Sequence, residues 1–218
     1  MVKLIFNAAL NVATNIIGKI HWEWLAEMTT GRYYRVTDDE QNQIRQLLTK
    51  DYYIILTRRK THLSTHAINF SHWVLTRFKR WGYYSHSLMN LEDEVKSDSD
   101  FRLIEATNKT GVAYVPFNRV FDCDSVALLK PKTMTVDQWT AVLDNLKTHE
   151  GKRYDTIYQL ADASKMSCVE LVRTALMATP DYHTNFANFE ALIAKSNNLD
   201  PHMFYTCGDF EVVYEVRH

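Results

Sequence analysis

The segment "KMSCVELVRT", residues 165–174, places Cys168 directly after Ser167 and two residues before Glu170. Ser167 and Glu170 have the S-x-x-E spacing of a capping box, with Val169, Val172, Ala175 and Leu176 as the apolar face of the helix it opens. Cys168 then sits in the first helical turn, where unpaired backbone N–H groups and the helix dipole favour an anion such as a thiolate. The same N–H groups suit the oxyanion formed when a thiolate attacks a carbonyl carbon. The alternative is a small buried apolar filler, the commonest use of a free cysteine. Nucleophilic use needs a base, and the neighbouring residues supply none.

Nine histidines are available for that role. His86, in "GYYSHSLMNL", stands at the start of a strand after a glycine turn, where a rigid element can aim a side chain at a cleft. Glu105, in "LIEAT", is a carboxylate within an apolar strand, where an unpaired charge is costly. It either points to solvent, as strand alternation permits, or is held beside a histidine whose ring it orients. His62 and His66 share the spacing of a metal-binding H-E-x-x-H, but Leu63 replaces the glutamate and no third ligand is evident, so no metal and no cofactor is expected. His149 falls at a helix end, where a cation is favoured. His72, with His62 and His66, lies in a basic, polar connection and reads as a surface residue, and His21, His183, His202 and His218 have no neighbours that point to chemistry. The basic stretches 58–60 and 77–81 suit an anionic partner, with a solvated face as the simpler reading.

Several elements must position these residues. Thr37 and Glu40 form a capping box ahead of Ile44, Leu47 and Leu48, a helix ending near Lys50. Residues 52–58, "YYIILTR", have the β-branched and aromatic content of a buried strand, and 67–81 carry a helical pattern. Strands are expected at 85–91, 101–107, 111–117 and 125–131, at spacings that favour hairpins and an antiparallel sheet. Thr135 and Gln138 cap a helix carrying Trp139, Val142, Leu143 and Leu146, with Gly151 placed to stop it. A helix on Phe186, Phe189, Leu192 and Ile193 and a strand at 210–216 complete the pattern.

The chain has 218 residues, 46% hydrophobic and 23% charged, with four prolines and six glycines, which bounds it to a folded, globular chain of one domain or one domain with an extension, and the order of elements makes that domain α+β. Lys plus Arg number 25 against 26 Asp plus Glu, so net charge draws it to neither nucleic acid nor anionic membrane. Cysteines 123, 168 and 207 contain no C-x-x-C pair and one is odd, against a disulfide framework. Near the start, Ile5, Ala9, Val12, Ile16 and Ile20 recur at helical spacing, interrupted by Asn7, Asn11 and Asn15. That pattern favours an amphipathic helix packing on the domain or a partner, with a weak export signal or a membrane-surface helix through residues 1–25 second, and no stretch is long enough for a membrane span. A cytoplasmic or phage-particle setting is the matching expectation.

The order of these motifs resembles the circularly permuted, papain-like branch of the NlpC-type cysteine hydrolases, the YiiX-like group. It rests on Asp51 to Arg58, Ser85 with His86, Glu105–Ala106 with Gly111–Val112, Gly151 with Tyr154–Asp155, and Cys168 with Glu170–Leu171. It spans about residues 50–178, within a domain expected to run over 50–218 after a helical extension at 1–49. Lys50 departs from the group's usual glycine, and Ser87 from its usual apolar residue. The resemblance implies a papain-like fold with a mostly antiparallel sheet against helices. Its implied site has Cys168 as nucleophile, His86 as general base and Glu105 as orienting third member. Tyr154 and Asp155 would line the substrate cleft or buttress the Cys168 helix. The implied activity is amide hydrolysis through a thioester, on a peptide of cell-wall type. A non-catalytic binding module or an acyl-lipid hydrolase or acyltransferase on the same fold are the alternatives.

Overall fold

The computed structural model describes residues 36–59, 65, 68–69, 82–91, 102–155, 163–196 and 199–218. The expected N-terminal helix and most of the expected 67–81 helix lie outside these residues, as do His21, His62, His66 and His72. Six strands form one antiparallel sheet: β1 Ile54–Arg58, β2 His86–Asn90, β3 Arg102–Thr107, β4 Gly111–Pro116, β5 Ser125–Pro131 and β8 Phe210–Arg217, in the order β4-β3-β2-β1-β5-β8. Two-residue strands β6 (Arg153–Tyr154) and β7 (Lys165–Met166) pair in parallel beside it. The helices are α1 Asp38–Leu48, α2 Val136–Lys147, α3 Cys168–Leu176, α4 Tyr182–Asn185, α5 Ala187–Ser196 and α6 His202–Thr206.

Strand alternation divides the apolar side chains between two cores. Ile54, Leu56, Met89, Ile104, Ala106, Ala127 and Leu129 face α2, α3, α5 and α6, where Phe189 stacks on Phe204 at 4.5 Å. Ile55, Leu88, Leu103, Val126 and Leu128 point the other way, onto Ile44 and Leu48 of α1 and onto Phe117 and Phe121 of a 3-10 turn at Phe117–Phe121. The sheet is therefore covered on both faces, an α+β architecture.

Three capping boxes form as the sequence spacing predicts, at Thr37–Glu40, Thr135–Gln138 and Ser167–Glu170. Gly151 does not stop α2, which ends at Lys147 with Thr148 as a right-handed cap. Its left-handed φ of +80° instead turns the chain toward β6, and its N–H donates to the Val112 carbonyl at 2.9 Å. Phe186 falls one residue ahead of α5, capping α4, because the apolar pattern there runs through two short helices.

Candidate active site

Helix α3 opens at a capping box. The Ser167 N–H donates to the Glu170 carboxylate at 2.6 Å, and the Glu170 N–H donates to the Ser167 hydroxyl at 3.3 Å. Glu170 is thereby the capping partner that the spacing implies, and the N–H groups of Cys168 and Val169 stay clear of the box. Asp155, also buried, donates its N–H to the Met166 carbonyl at 3.1 Å and so ties the approach to α3. Its charge joins burial in raising the Glu170 carboxyl pKa. Tyr154 is half-buried against the first core.

His86 is the first residue of β2, and Glu105 lies on the neighbouring β3, where it pairs with Leu88. The two side chains therefore share a face on a diagonal, within reach of each other. His86 Nε2 lies 2.7 Å from Glu105 Oε2, and Glu105 Oε1 accepts from Arg119 Nε at 3.0 Å. Nε2 is committed to Glu105, and the buried Cys168 thiol is the second group that interacts with the ring. Glu105 is the buried, partnered carboxylate rather than a solvent-facing one, its side chain 4% exposed against 18% for His86.

The charges follow from this chain of contacts. Burial opposes a charged imidazole, yet the hydrogen bonds to Cys168 and Glu105 and their charges outweigh it and raise the His86 pKa to about 9. Burial would raise the Glu105 carboxyl, but His86 and Arg119 pull it down to about 2. Burial would likewise raise the Cys168 thiol; His86, then the N–H and hydroxyl of Ser87, outweigh that and lower it. The other cysteines move the opposite way, burial pushing Cys123 up to about 12 and Cys207 up to about 11. Cys168 is the one thiol of the three whose pKa its surroundings lower.

No family model and no curated protein matches this chain. Among solved structures it is similar to the metalloprotein yiiX from Escherichia coli O157:H7, at 16% identity and a TM-score of 0.51, over 78% of this chain and 98% of that one. The chain has a yiiX-like fold. Within that fold the structure brings together Cys168, His86 and Glu105, which lie far apart in sequence. Arg119 is a fourth member that the sequence did not flag, since its place depends on the 3-10 turn after β4 folding back over β3.

Other candidates are placed elsewhere. His149 does not favour a cation at its helix end: burial and Lys152 lower its pKa, and its Nε2 lies 3.0 Å from Asn145 Oδ1. His202 stacks on Tyr205, and His218 Nε2 lies 3.0 Å from Glu40 Oε2. In the basic stretch, Arg58 packs over the Tyr83 ring at 4.2 Å and Arg59 pairs with Asp122, while Lys60 and 77–81 lie outside the described residues. Among the described residues no helix is long and apolar enough to cross a membrane.

Proposed function

We propose that this chain is a cysteine hydrolase on a permuted papain-like frame, cleaving an amide bond through a thioester. The observation that carries the reading is His86 held between the Glu105 carboxylate and the Cys168 thiol at the start of a helix. That arrangement makes a thiolate and an imidazolium before substrate arrives. The thiolate attacks the carbonyl carbon, forming the C–S bond, and the N–H groups of Cys168 and Val169 receive the oxyanion. The imidazolium gives its proton to the leaving nitrogen as the C–N bond breaks. His86 then takes a proton from water, the resulting hydroxide attacks the thioester, and the thiolate is released as the acid product leaves. Glu105 keeps the ring oriented and stabilises its charged form, itself fixed by Arg119.

A peptide of cell-wall type is the substrate class that the motif resemblance supports, and half-buried Tyr154 is the residue assigned to its side of the cleft. Buried Asp155 is assigned to bracing α3. Residues 1–25 are assigned to docking on a membrane surface or partner.

The structural neighbour is named a metalloprotein. In this chain the ring of His86 is committed to Glu105 and Cys168, and the second Glu105 oxygen to Arg119, so a metal would have to displace those bonds. Among the described residues no group of three or more His, Cys, Asp or Glu side chains is arranged to hold one. The triad does not fit metal ligation, and no step here runs through a metal.

The test is alkylation by iodoacetamide near pH 7, followed by peptide mass mapping. Cys168 is expected to react at least about a hundredfold faster than Cys123 or Cys207, because rate follows thiolate fraction. His86→Ala should remove most of that advantage. Equal, slow labelling of all three thiols would sink the enzyme reading.

A further inference from the structure

Ser87 is the position where the chain departs from the apolar residue of the group it resembles, and the structure places it against the nucleophile. On β2 it lies two residues from Met89 and so shares that residue's face, the one turned toward α3 and Cys168, while Leu88 faces the opposite core. It is completely buried and is pinned by its pairing with Leu56 of β1. On the other side of β2 the ladder ends at Leu88–Glu105, so Ser87 and Ala106 do not form the next pair. The Leu91 N–H donates toward β3, to the Arg102 carbonyl, so by alternation the Ser87 N–H points to that same side and is outside the ladder. Its hydroxyl has no hydrogen-bond partner of normal geometry among the described residues.

A buried donor left without an acceptor costs stability, and such groups in a folded chain call for an explanation. The Cys168 sulfur lies in the core that this face of β2 covers, and it is the group there that gains most from a donor. A neutral thiol is a weak acceptor, whereas a thiolate takes several charge-assisted hydrogen bonds. The depressed thiol pKa is consistent with both Ser87 groups acting on the sulfur, alongside His86.

The geometry points to Ser87 as a further catalytic residue: its main-chain N–H and its hydroxyl converge on the Cys168 sulfur and hold it as the thiolate. The inference rests on the reading of Cys168 as a nucleophile and adds to it. His86 takes the thiol proton, and Ser87 stabilises the anion left behind, gaining or losing no proton itself. Once the sulfur is acylated its charge is gone, and the Ser87 hydrogen bonds weaken. Thiolate stabilisation therefore raises the charged fraction while lowering the reactivity of each thiolate.

That double effect is what the experiment reads. In the full chain, the rate of Cys168 alkylation by iodoacetamide is followed against pH for the wild type, Ser87→Ala and Ser87→Thr. Ser87→Ala should move the midpoint of the rise up by about one pH unit, the size expected for losing one hydrogen bond to an anion. Its plateau rate at high pH should rise by about threefold. Ser87→Thr, which keeps the hydroxyl, should hold the wild-type midpoint. A packing role for Ser87 predicts instead a rate changed at every pH with the midpoint fixed, and that result would overturn the proposal. Should Ser87→Ala fail to fold, Ser87→Gly also lacks the hydroxyl and must show the same displaced midpoint, an unmoved one again overturning it. A wild-type midpoint at the ordinary thiol value would instead sink the nucleophile reading, so the two failures are distinguishable.

Discussion

The decisive contacts at the scale of single residues are those that fix the charge of His86. Glu105 contributes both a hydrogen bond and a negative charge to it, and Arg119 keeps that carboxylate in place. Glu105→Gln retains an oxygen for the ring but removes the charge. The His86 pKa should then fall from about 9 toward its ordinary 6.5, which titration of the ring proton resonances by NMR would measure. A ring that still titrates near its wild-type value would remove Glu105 from the site. Arg119→Ala should act in the same direction and more weakly, since it touches the ring only through Glu105. Cys168, His86 and Glu105 were legible because each is a chemically distinctive group on an element with a strong local pattern. Arg119 was not, because an arginine in a polar turn looks like any solvated charge until the turn folds back. Ser87 was visible only as a departure from a motif, and its use depends on which face of β2 it takes.

Elements with a long period or a reciprocal cap were legible for the same physical reason: many residues vote for one conformation. All six strands of the main sheet fall within two residues of their expected limits, and the three capped helices begin where their caps place them, although α2 ends at Lys147, short of the expected stop at Gly151. The 3-10 turn, β6, β7, α4 and α6 are too short to show a period, and tertiary packing decides them. The bend at Gly111 shows how such packing acts on one position. Gly111 has φ of +71°, and a Cβ built there would lie 2.3 Å from the Lys152 carbonyl oxygen. That carbonyl accepts from the Val112 N–H at 2.8 Å, joining the β3–β4 hairpin to the segment that leads into β6. Gly111→Ala therefore meets backbone, not a movable side chain. Strain at a left-handed position alone costs about 1–3 kcal/mol, and the clash adds to it. A lower urea midpoint at unchanged slope is expected, and a variant as stable as the wild type would show that this close approach is not required. Ser167→Ala tests the other kind of element signal. Loss of this helix cap should cost about 1 kcal/mol by the same measurement.

Across the whole molecule, the sheet's two covered faces explain why a charged site persists in so apolar a setting. Cys168 belongs to the helix-covered core, while Leu103, two residues before Glu105, belongs to the core beneath α1 and the 3-10 turn. Cys168, His86 and Glu105 thus join both sides of the sheet at the open end of β2, and the ion pairs of Glu105 with His86 and Arg119 tie the two sides together. The Glu105 carboxyl is depressed to about 2 from an ordinary 4.5 by His86 and Arg119. A depressed carboxyl stabilises the folded chain fully above its unfolded value and loses that contribution as pH falls through the folded value. Wild type and Glu105→Gln should therefore differ in urea-unfolding stability by a nearly constant amount from about pH 6, where the His86 contribution is close to complete, down to about pH 5. Below that the difference should shrink as pH approaches 2, as the unfolded and then the folded carboxyl takes up its proton. Other carboxylates titrate in the same range but are common to both proteins, so they cancel in the difference. His86 behaves in the opposite sense, its contribution complete below 6.5 and lost as pH rises through about 9. A wild-type minus Glu105→Gln difference that stays flat from pH 5 to pH 2.5 would mean that the carboxylate is not held by His86 and Arg119, and the site as drawn would fall with it.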